Sequence, residues 1–135
     1  MKLDFEAAYE RRVLADGRVV VDIVNVGSVP VLRVTHAPGW RWSAHSAPAG
    51  EIEGCSNVHV GVMTSGRMMV KLPGAAAREL VQGDAFAIPR GHDAWTVGDE
   101  PAVLVQFDEG ASAQARYGFN ADRPEARFMF ARRAL

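Results

Sequence analysis

The chain has 135 residues with a formal net charge of −1, and 48% of its residues are hydrophobic. This length suits one domain with a sizeable core, and the composition is that of a soluble globular protein rather than a disordered one. The near balance of 15 basic and 16 acidic residues argues against a nucleic-acid binder that acts by neutralising phosphates. We therefore expect a single domain over residues 1–135 that binds no nucleic acid.

The chain carries no sign of a membrane segment or a disulfide framework. No apolar run approaches the roughly 20 residues of a membrane span, and the N-terminal sequence MKLDFEAAYE lacks an apolar signal core. The single cysteine, Cys55, excludes an internal disulfide and fits a reducing compartment. We expect a cytoplasmic protein with no membrane partner.

The predicted elements are mostly strands. Residues 4–14 have weak helical periodicity, which predicts one short helix, and a further helical turn is expected after Phe107. Between these segments, short runs rich in valine and aromatic residues alternate with glycine and proline, a pattern typical of an all-β sandwich or barrel. The predicted strands are 19–24, 31–34, 58–63, 67–72, 78–81, 85–88, 94–97 and 102–107.

Two glycines mark predicted turns between these strands, and an arginine-rich segment ends the chain. Gly66 follows Thr64 and Ser65 in a predicted hairpin turn, and Gly83 marks a similar turn. Residues 116–135 hold five arginines. We expect this tail to be a solvated surface or an arm on a partner subunit, with anion binding as the alternative.

Metal-ligand side chains occur near several of these turns. His45 follows a tryptophan-rich segment, His59 begins a predicted strand, and His92 follows the Gly91 turn. Cys55 lies four residues before His59. Imidazole and thiolate are natural ligands of zinc and other divalent metals. Alternation along the two strands allows His59 and His92 to face one barrel interior without requiring it.

At this point the sequence resembles the cupin superfamily. The first cupin motif is a glycine, five residues, His-x-His, a short gap, a glutamate, six residues and a glycine. Gly39 and the five residues after it lead to His45, whereas the second histidine position falls on Ala47. Counting back from Gly66, the glutamate position holds His59, so imidazole replaces carboxylate there.

The second cupin motif is a glycine, five residues, Pro-x-Gly, two residues and a histidine. Gly83, Pro89 and Gly91 match it in spacing. The usual histidine position falls on Ala94, and His92, two residues earlier with the same strand parity, can replace it.

The resemblance implies a cupin-type double-stranded β-helix, a jelly-roll barrel, with its core at about residues 31–107 and short terminal helices. It further implies a homodimer that binds a small molecule and one divalent metal ion per chain, with Zn, Fe, Mn and Ni left open. Cupin activities vary widely, so the fold alone does not select a reaction.

We expect His45, His59 and His92 to form the metal site, with Cys55 as a candidate fourth ligand. With Cys55 bound, the site favours zinc and a structural role; without it, open positions remain for water and substrate. The alternative is a decayed cupin site in which the alanines at the usual ligand positions mark lost ligands.

Other residues are assigned around this site. Asp93, beside His92, is a candidate to orient the imidazole or to act as a catalytic base. His36 is expected at the surface or at the barrel rim. The candidate substrate-pocket residues are Trp40, Trp42, Met63 and Trp95, since aromatic and apolar side chains line most small-molecule cavities.

Two functions remain open on these residues. The first is a metal-dependent enzyme of isomerase, lyase, cyclase or dioxygenase type that acts on a small organic acid or carbonyl compound. The second is a non-catalytic module that binds or senses a small molecule, with a structural metal or none. An enzyme needs an acid–base group besides the metal ligands, and no candidate in the sequence is decisive.

Overall fold

The computed structural model describes residues 4–8, 10–26, 29–51, 53–109 and 129–131. Three helical turns lie at Phe5–Ala7, Ala15–Gly17 and Trp42–Ser46. Within these described ranges, no helix is long and apolar enough to cross a bilayer. The strands are β1 (Glu10–Leu14), β2 (Val19–Val26), β3 (Val29–His36), β4 (His59–Ser65), β5 (Arg67–Lys71), β6 (Arg78–Val81), β7 (Ala85–Ile88), β8 (Asp93–Thr96), β9 (Ala102–Glu109) and β10 (Met129–Ala131).

The strands form two antiparallel sheets. The larger has the order β1-β2-β3-β9-β4-β7-β10, and the smaller has the order β6-β5-β8. The chain changes sheet at the links β4–β5, β6–β7, β7–β8 and β8–β9. This alternation is a jelly-roll arrangement, as the sequence predicts, and all eight predicted strands are present with bounds within two residues.

The core lies between the two sheets and follows from strand alternation. On β2 and β3, register pairs Val21 with Val34 and Ile23 with Leu32, and all four side chains are buried. The smaller sheet contributes residues of the same alternating kind. The core members from the other strands are Met63, Met68, Val70, Leu80, Phe86, Ile88, Ala94, Ala102 and Leu104.

The predicted N-terminal helix over residues 4–14 is wrong. Only Phe5–Ala7 forms a helical turn, and Glu10–Leu14 is strand β1, which pairs along its full length with β2. The Asp16–Gly17 pair between apolar runs is a hairpin signal that points to this pairing. Residues Ala15 to Gly17 all have positive φ, as a tight left-handed connection requires.

The predicted hairpin at Thr64 to Arg67 is also wrong, because β4 and β5 belong to different sheets. Gly66 has φ of +72°, and a Cβ there would collide with the backbone of Pro101. The glycine therefore allows a sharp passage between sheets rather than a paired turn. Strand β9 continues to Glu109, and the rest of the segment in which a helical turn is predicted, with most of the arginine tail, lies outside the described residues.

Candidate metal centre

Three of the four predicted metal ligands converge at one end of the barrel. His59 begins β4, His92 lies just before β8, and Cys55 lies in the loop that leads into β4. One ligand atom from each residue lies within 4.8 Å of the others. Cys55 Sγ is 3.7 Å from His59 Nε2, and the two imidazole centroids are 5.0 Å apart. The fold thus brings Cys55 and His92, which are 37 residues apart in the sequence, into one cluster.

Backbone hydrogen bonds hold the cysteine loop against the His92 turn. The Cys55 amide donates to the His92 carbonyl at 2.8 Å, and the Gly91 amide donates to the Cys55 carbonyl at 2.8 Å. Gly54 has φ of +85°, and a Cβ there would collide with the Gly91 backbone. Gly54 therefore permits the close approach that places the thiol beside the imidazoles.

Carbonyl acceptors orient both imidazoles. His59 Nδ1 lies 3.0 Å from Gln106 Oε1, and His92 Nδ1 lies 2.7 Å from the Pro89 carbonyl oxygen. An oxygen of this kind accepts, so each Nδ1 donates and each Nε2 carries the lone pair. Protein metal sites typically fix their histidine ligands in this way. Gln106 is a functional residue that the sequence analysis missed, although it is the polar position on the inward face of β9 with Ala102 and Leu104.

His92 is held neutral by its surroundings. Burial lowers the pKa of His92 to about 4, and the nearby His59 acts in the same direction, against the opposing effects of the Pro89 carbonyl and Asp93. A neutral imidazole at pH 7 is the form that binds a metal.

The cluster opens on a cavity of about 260 Å³ between the sheets. Most of its lining is apolar and comes from both sheets, and its polar members are few. The lining residues include Val19, Val21, Val34, Met68, Phe86, Ile88, Ala94 and Leu104, with His36, Ser46, Asn57 and Gln106 as polar members. The arrangement is a small apolar chamber with one concentrated group of ligand atoms.

His36 corrects the expectation of a surface or rim position. It is only 6% exposed, lines the cavity, and has its Nδ1 3.2 Å from the Ala102 carbonyl oxygen. Its ring centroid lies 4.4 Å from that of Trp40. Burial lowers the pKa of His36 to about 4, His59 adds to that effect, and the Ala102 hydrogen bond opposes it.

His45 does not join the cluster. Within the described residues, the group of candidate ligands contains Cys55, His59 and His92. His45 lies in the wide helical turn Trp42–Ser46, where its Nδ1 accepts a hydrogen bond from the Arg41 amide at 3.0 Å. This hydrogen bond engages Nδ1 within its own turn, so the structure does not support the prediction that His45 is a metal ligand.

Asp93 lies beside His92 but faces away from the cavity, because successive strand residues alternate. Its carboxylate accepts hydrogen bonds from the Arg41 guanidinium at 2.9 Å and from Ser43 at 2.9 and 3.0 Å. Burial opposes ionisation of Asp93, yet the Ser43 and Arg41 hydrogen bonds lower its pKa below the usual value. The carboxylate is thus committed on the outer face, and the expected catalytic role has no geometric basis.

The predicted pocket residues divide in two. Trp40 and Trp42 line the cavity, and Trp40 Nε1 donates to Ser46 Oγ at 2.9 Å. Met63 is 1% exposed and belongs to the core, outside the cavity lining. Trp95 faces outward, where the Arg41 guanidinium lies 4.3 Å from its ring centroid. The assignment of Met63 and Trp95 to the pocket is therefore corrected.

Comparison with known proteins identifies the fold. No family model matches the chain, and no curated protein matches it. Among solved structures, the cupin domain of Schizosaccharomyces pombe Cnp3 has a TM-score of 0.55 at 13% identity and covers 89% of this chain and 82% of its own. A variant of Bacillus subtilis oxalate decarboxylase has a TM-score of 0.55 at 17% identity and covers 86% of this chain.

A protein of unknown function from Vibrio parahaemolyticus has a TM-score of 0.53 at 17% identity and covers 74% of this chain and 98% of its own. This chain spans 31% of the oxalate decarboxylase chain. The likenesses show the architecture: the chain has the cupin fold, as the motif resemblance predicts.

Proposed function

We propose that this cupin-fold protein binds a metal, and that Cys55, His59 and His92 hold one divalent ion at the wall of the cavity. The observation that carries the proposal is the convergence of three ligand atoms within 4.8 Å. Carbonyl oxygens orient both imidazoles, which supports this reading. Three protein ligands leave further coordination positions for a small molecule.

The chemistry of the donor set favours a zinc-like ion. One of the similar structures concerns the Mn(II) centres of Bacillus subtilis oxalate decarboxylase. Manganese prefers oxygen ligands, whereas a thiolate with two imidazoles suits zinc. The residues present therefore fit a softer ion than manganese. When bound, such an ion acts as a Lewis acid that polarises a carbonyl or hydroxyl group.

The first test is the metal content of the purified full chain, compared among variants. We expect about one zinc ion per chain after loading, and His59→Ala should lose at least tenfold in zinc affinity because a ligand is removed. His45→Ala is the matched control, since His45 lies outside the cluster. Zinc affinity that is equal in both variants would refute the ligand assignment.

Cobalt substitution tests the thiolate directly. A Co²⁺-loaded chain with Cys55 as ligand should show sulfur-to-metal charge-transfer absorption in the near ultraviolet. Cys55→Ser should abolish this band while His45→Ala retains it. A band that is absent from the unaltered loaded protein would remove Cys55 from the site.

A catalytic metal centre needs an acid–base side chain near the bound substrate, whereas a centre that only binds a ligand does not. Within the described part of the chain, no aspartate or glutamate lines the cavity. Asp93, the expected base, is directed outward to Arg41 and Ser43. His36 is the titratable side chain left in the lining beyond the ligands, and burial holds it neutral. This distribution favours a binding or sensing module, with isomerase, cyclase or dioxygenase chemistry as the second candidate.

A further inference from the structure

We infer that the ligand of this site is a small monofunctional compound, with one polar end at the Cys55–His59–His92 cluster and an uncharged, apolar body in the chamber. This inference rests on the proposed function. It narrows the expected ligands from small organic acids and carbonyl compounds in general to those with one polar group. A second charged group, or several hydroxyl groups, would lack partners in the cavity walls.

In the part of the chain that the structure describes, the cavity walls carry no charged side chain that could pair with a second charged group on the ligand. Among the described residues, no arginine, lysine, aspartate or glutamate lines the 260 Å³ cavity. The charged side chains near this end of the barrel, which include Arg41, Lys71 and Asp93, line a second cleft on the outer side of the smaller sheet. This cleft shares Trp42 with the cavity lining, and none of its charged residues belongs to that lining. A second carboxylate on the ligand would be buried without a cationic partner, which is strongly unfavourable.

Three of the four polar side chains in the walls outside the cluster already form hydrogen bonds within the fold, and the fourth, Asn57, is exposed. Gln106 Oε1 accepts a hydrogen bond from His59 Nδ1, and Ser46 Oγ accepts one from Trp40 Nε1. His36 Nδ1 donates to the Ala102 carbonyl oxygen. A ligand with several hydroxyl groups would have to compete with these hydrogen bonds. Polar groups of a ligand that leave water without gaining a hydrogen-bond partner cost affinity.

The volume of the cavity limits the size of the ligand. A dry cavity of about 150 Å³ accommodates benzene, so a chamber of this size holds on the order of ten non-hydrogen atoms. The apolar lining from Val34, Phe86 and Leu104 favours a hydrocarbon chain or a single ring in that space.

Hexanoate and adipate make a matched pair of probes, since they share a six-carbon chain and differ by one terminal carboxylate. Isothermal titration calorimetry on the zinc-loaded full chain should give hexanoate at least tenfold tighter binding than adipate. Equal or tighter binding of adipate, or no binding of either acid to the loaded chain, would overturn the inference.

Two charge-adding variants sharpen the test. Trp42→Arg places a cation in the cavity lining at a half-buried position and should reduce the preference for hexanoate at least fivefold. Ala44→Arg adds the same charge at an exposed position outside the lining and should leave the preference unchanged. Equal effects of the two variants would show that wall charge does not select the ligand.

Metal content, measured on the same samples, separates this inference from the proposed function. A chain that takes up no zinc refutes the proposed metal site itself. A zinc-loaded chain that prefers adipate leaves the metal site intact and refutes only the ligand class.

Discussion

At the scale of single residues, the site depends on which nitrogen of each imidazole is free. Backbone and side-chain oxygens accept from Nδ1 of His59 and His92, and this leaves both Nε2 atoms for a ligand. His36, a further imidazole in the cavity lining, is fixed in the same manner by the Ala102 carbonyl. A buried imidazole that stays neutral in the native state lowers the free energy of unfolding at acidic pH, because the unfolded chain binds a proton there and the native state does not.

This argument gives a pH prediction for His36. Above pH 6.5, the imidazole is neutral in both states, so its contribution to stability is fully present. As the pH falls toward the native pKa of about 4, the unfolded chain binds a proton that the native state excludes. The free energy of unfolding should then fall by about 1.4 kcal/mol per pH unit for this residue.

Urea unfolding of the metal-free chain at pH 7.5 and pH 5.0 measures the effect. His36→Gln removes the titrating group, so its stability should drop by about 2 kcal/mol less than that of the unaltered chain between these conditions. His92 contributes in the same direction in both proteins, because its pKa is also lowered to about 4. An identical drop in both proteins would show that His36 is not buried as a neutral ring.

At the scale of the elements, valine-rich runs and turn residues predict the barrel strands, because alternation and punctuation are local properties. Strand β1 escaped prediction because most of its residues, such as Arg11 and Val13, are exposed and carry no apolar alternation. Its place depends on pairing with β2 and on the Arg11–Asp22 ion pair at 2.6 Å. Asp16 and Gly17 mark the turn into β2, but the side chains of β1 itself give no pattern that separates a strand from a helix.

The site was predictable to the extent that the cupin motif spacing and side-chain chemistry agree. His59 follows from ligand chemistry and motif spacing, whereas His92 follows from ligand chemistry and strand parity, because the motif position itself holds Ala94. His45 matches the motif spacing, yet the turn Trp42–Ser46 holds its ring against the Arg41 amide instead. Cys55 enters the cluster through a loop, and its position depends on backbone contacts with Gly91 and His92 that spacing does not encode.

Gly54 tests the role of this loop. Alanine at this position adds a Cβ that collides with Gly91 and should shift the Cys55 loop away from the imidazoles. Zinc affinity should fall about tenfold or more, as is typical when the support of a metal ligand is disturbed. Competition with a chromophoric chelator measures the change.

Gly50→Ala is the matched control for Gly54→Ala. Gly50 has φ of +82°, almost the same as the +85° of Gly54, but a Cβ there meets nothing within 4 Å. Both variants therefore carry backbone strain of about 1 kcal/mol, and only Gly54→Ala adds the collision. Equal zinc affinity in the two variants would show that the loop contact does not position the thiol.

At the scale of the whole molecule, the ion pairs of Asp22 and Asp93 lie on the outer faces, whereas no aspartate, glutamate, lysine or arginine among the described residues lines the cavity. Asp22 is 1% exposed, and its carboxylate bonds to Arg11 and Arg33 on the side of β2 opposite the cavity. Burial opposes its ionisation, but the two arginines prevail and lower its pKa. On the smaller sheet, Arg41 and Asp93 pair outside the barrel in the same way. The separation leaves the chamber for neutral groups and metal ligands.

The edge of the larger sheet bears on the expected homodimer. Strand β1 lies at that edge, and among the described residues Val13 and Leu14 are its exposed large apolar side chains, at 61% and 50%. Leu14 also lines the cavity, so a second copy on this edge would cover the chamber as well. Exposed apolar residues on an edge strand favour pairing with another chain, and charged residues oppose it. Because Glu10, Arg11 and Arg12 make the first part of β1 charged, we expect a second copy to pair at the Val13–Leu14 end.

Light scattering at tens of micromolar should therefore give twice the 14.6 kDa mass of one chain. Val13→Lys should return a single-chain mass, because a lysine on the edge opposes strand pairing. Ala76→Lys adds the same charge at an exposed position away from β1 and should leave the assembly intact. A single-chain mass for the unaltered protein would rule out the dimer. A dimer that survives Val13→Lys would place its interface elsewhere, and the cavity would then lie open at Leu14.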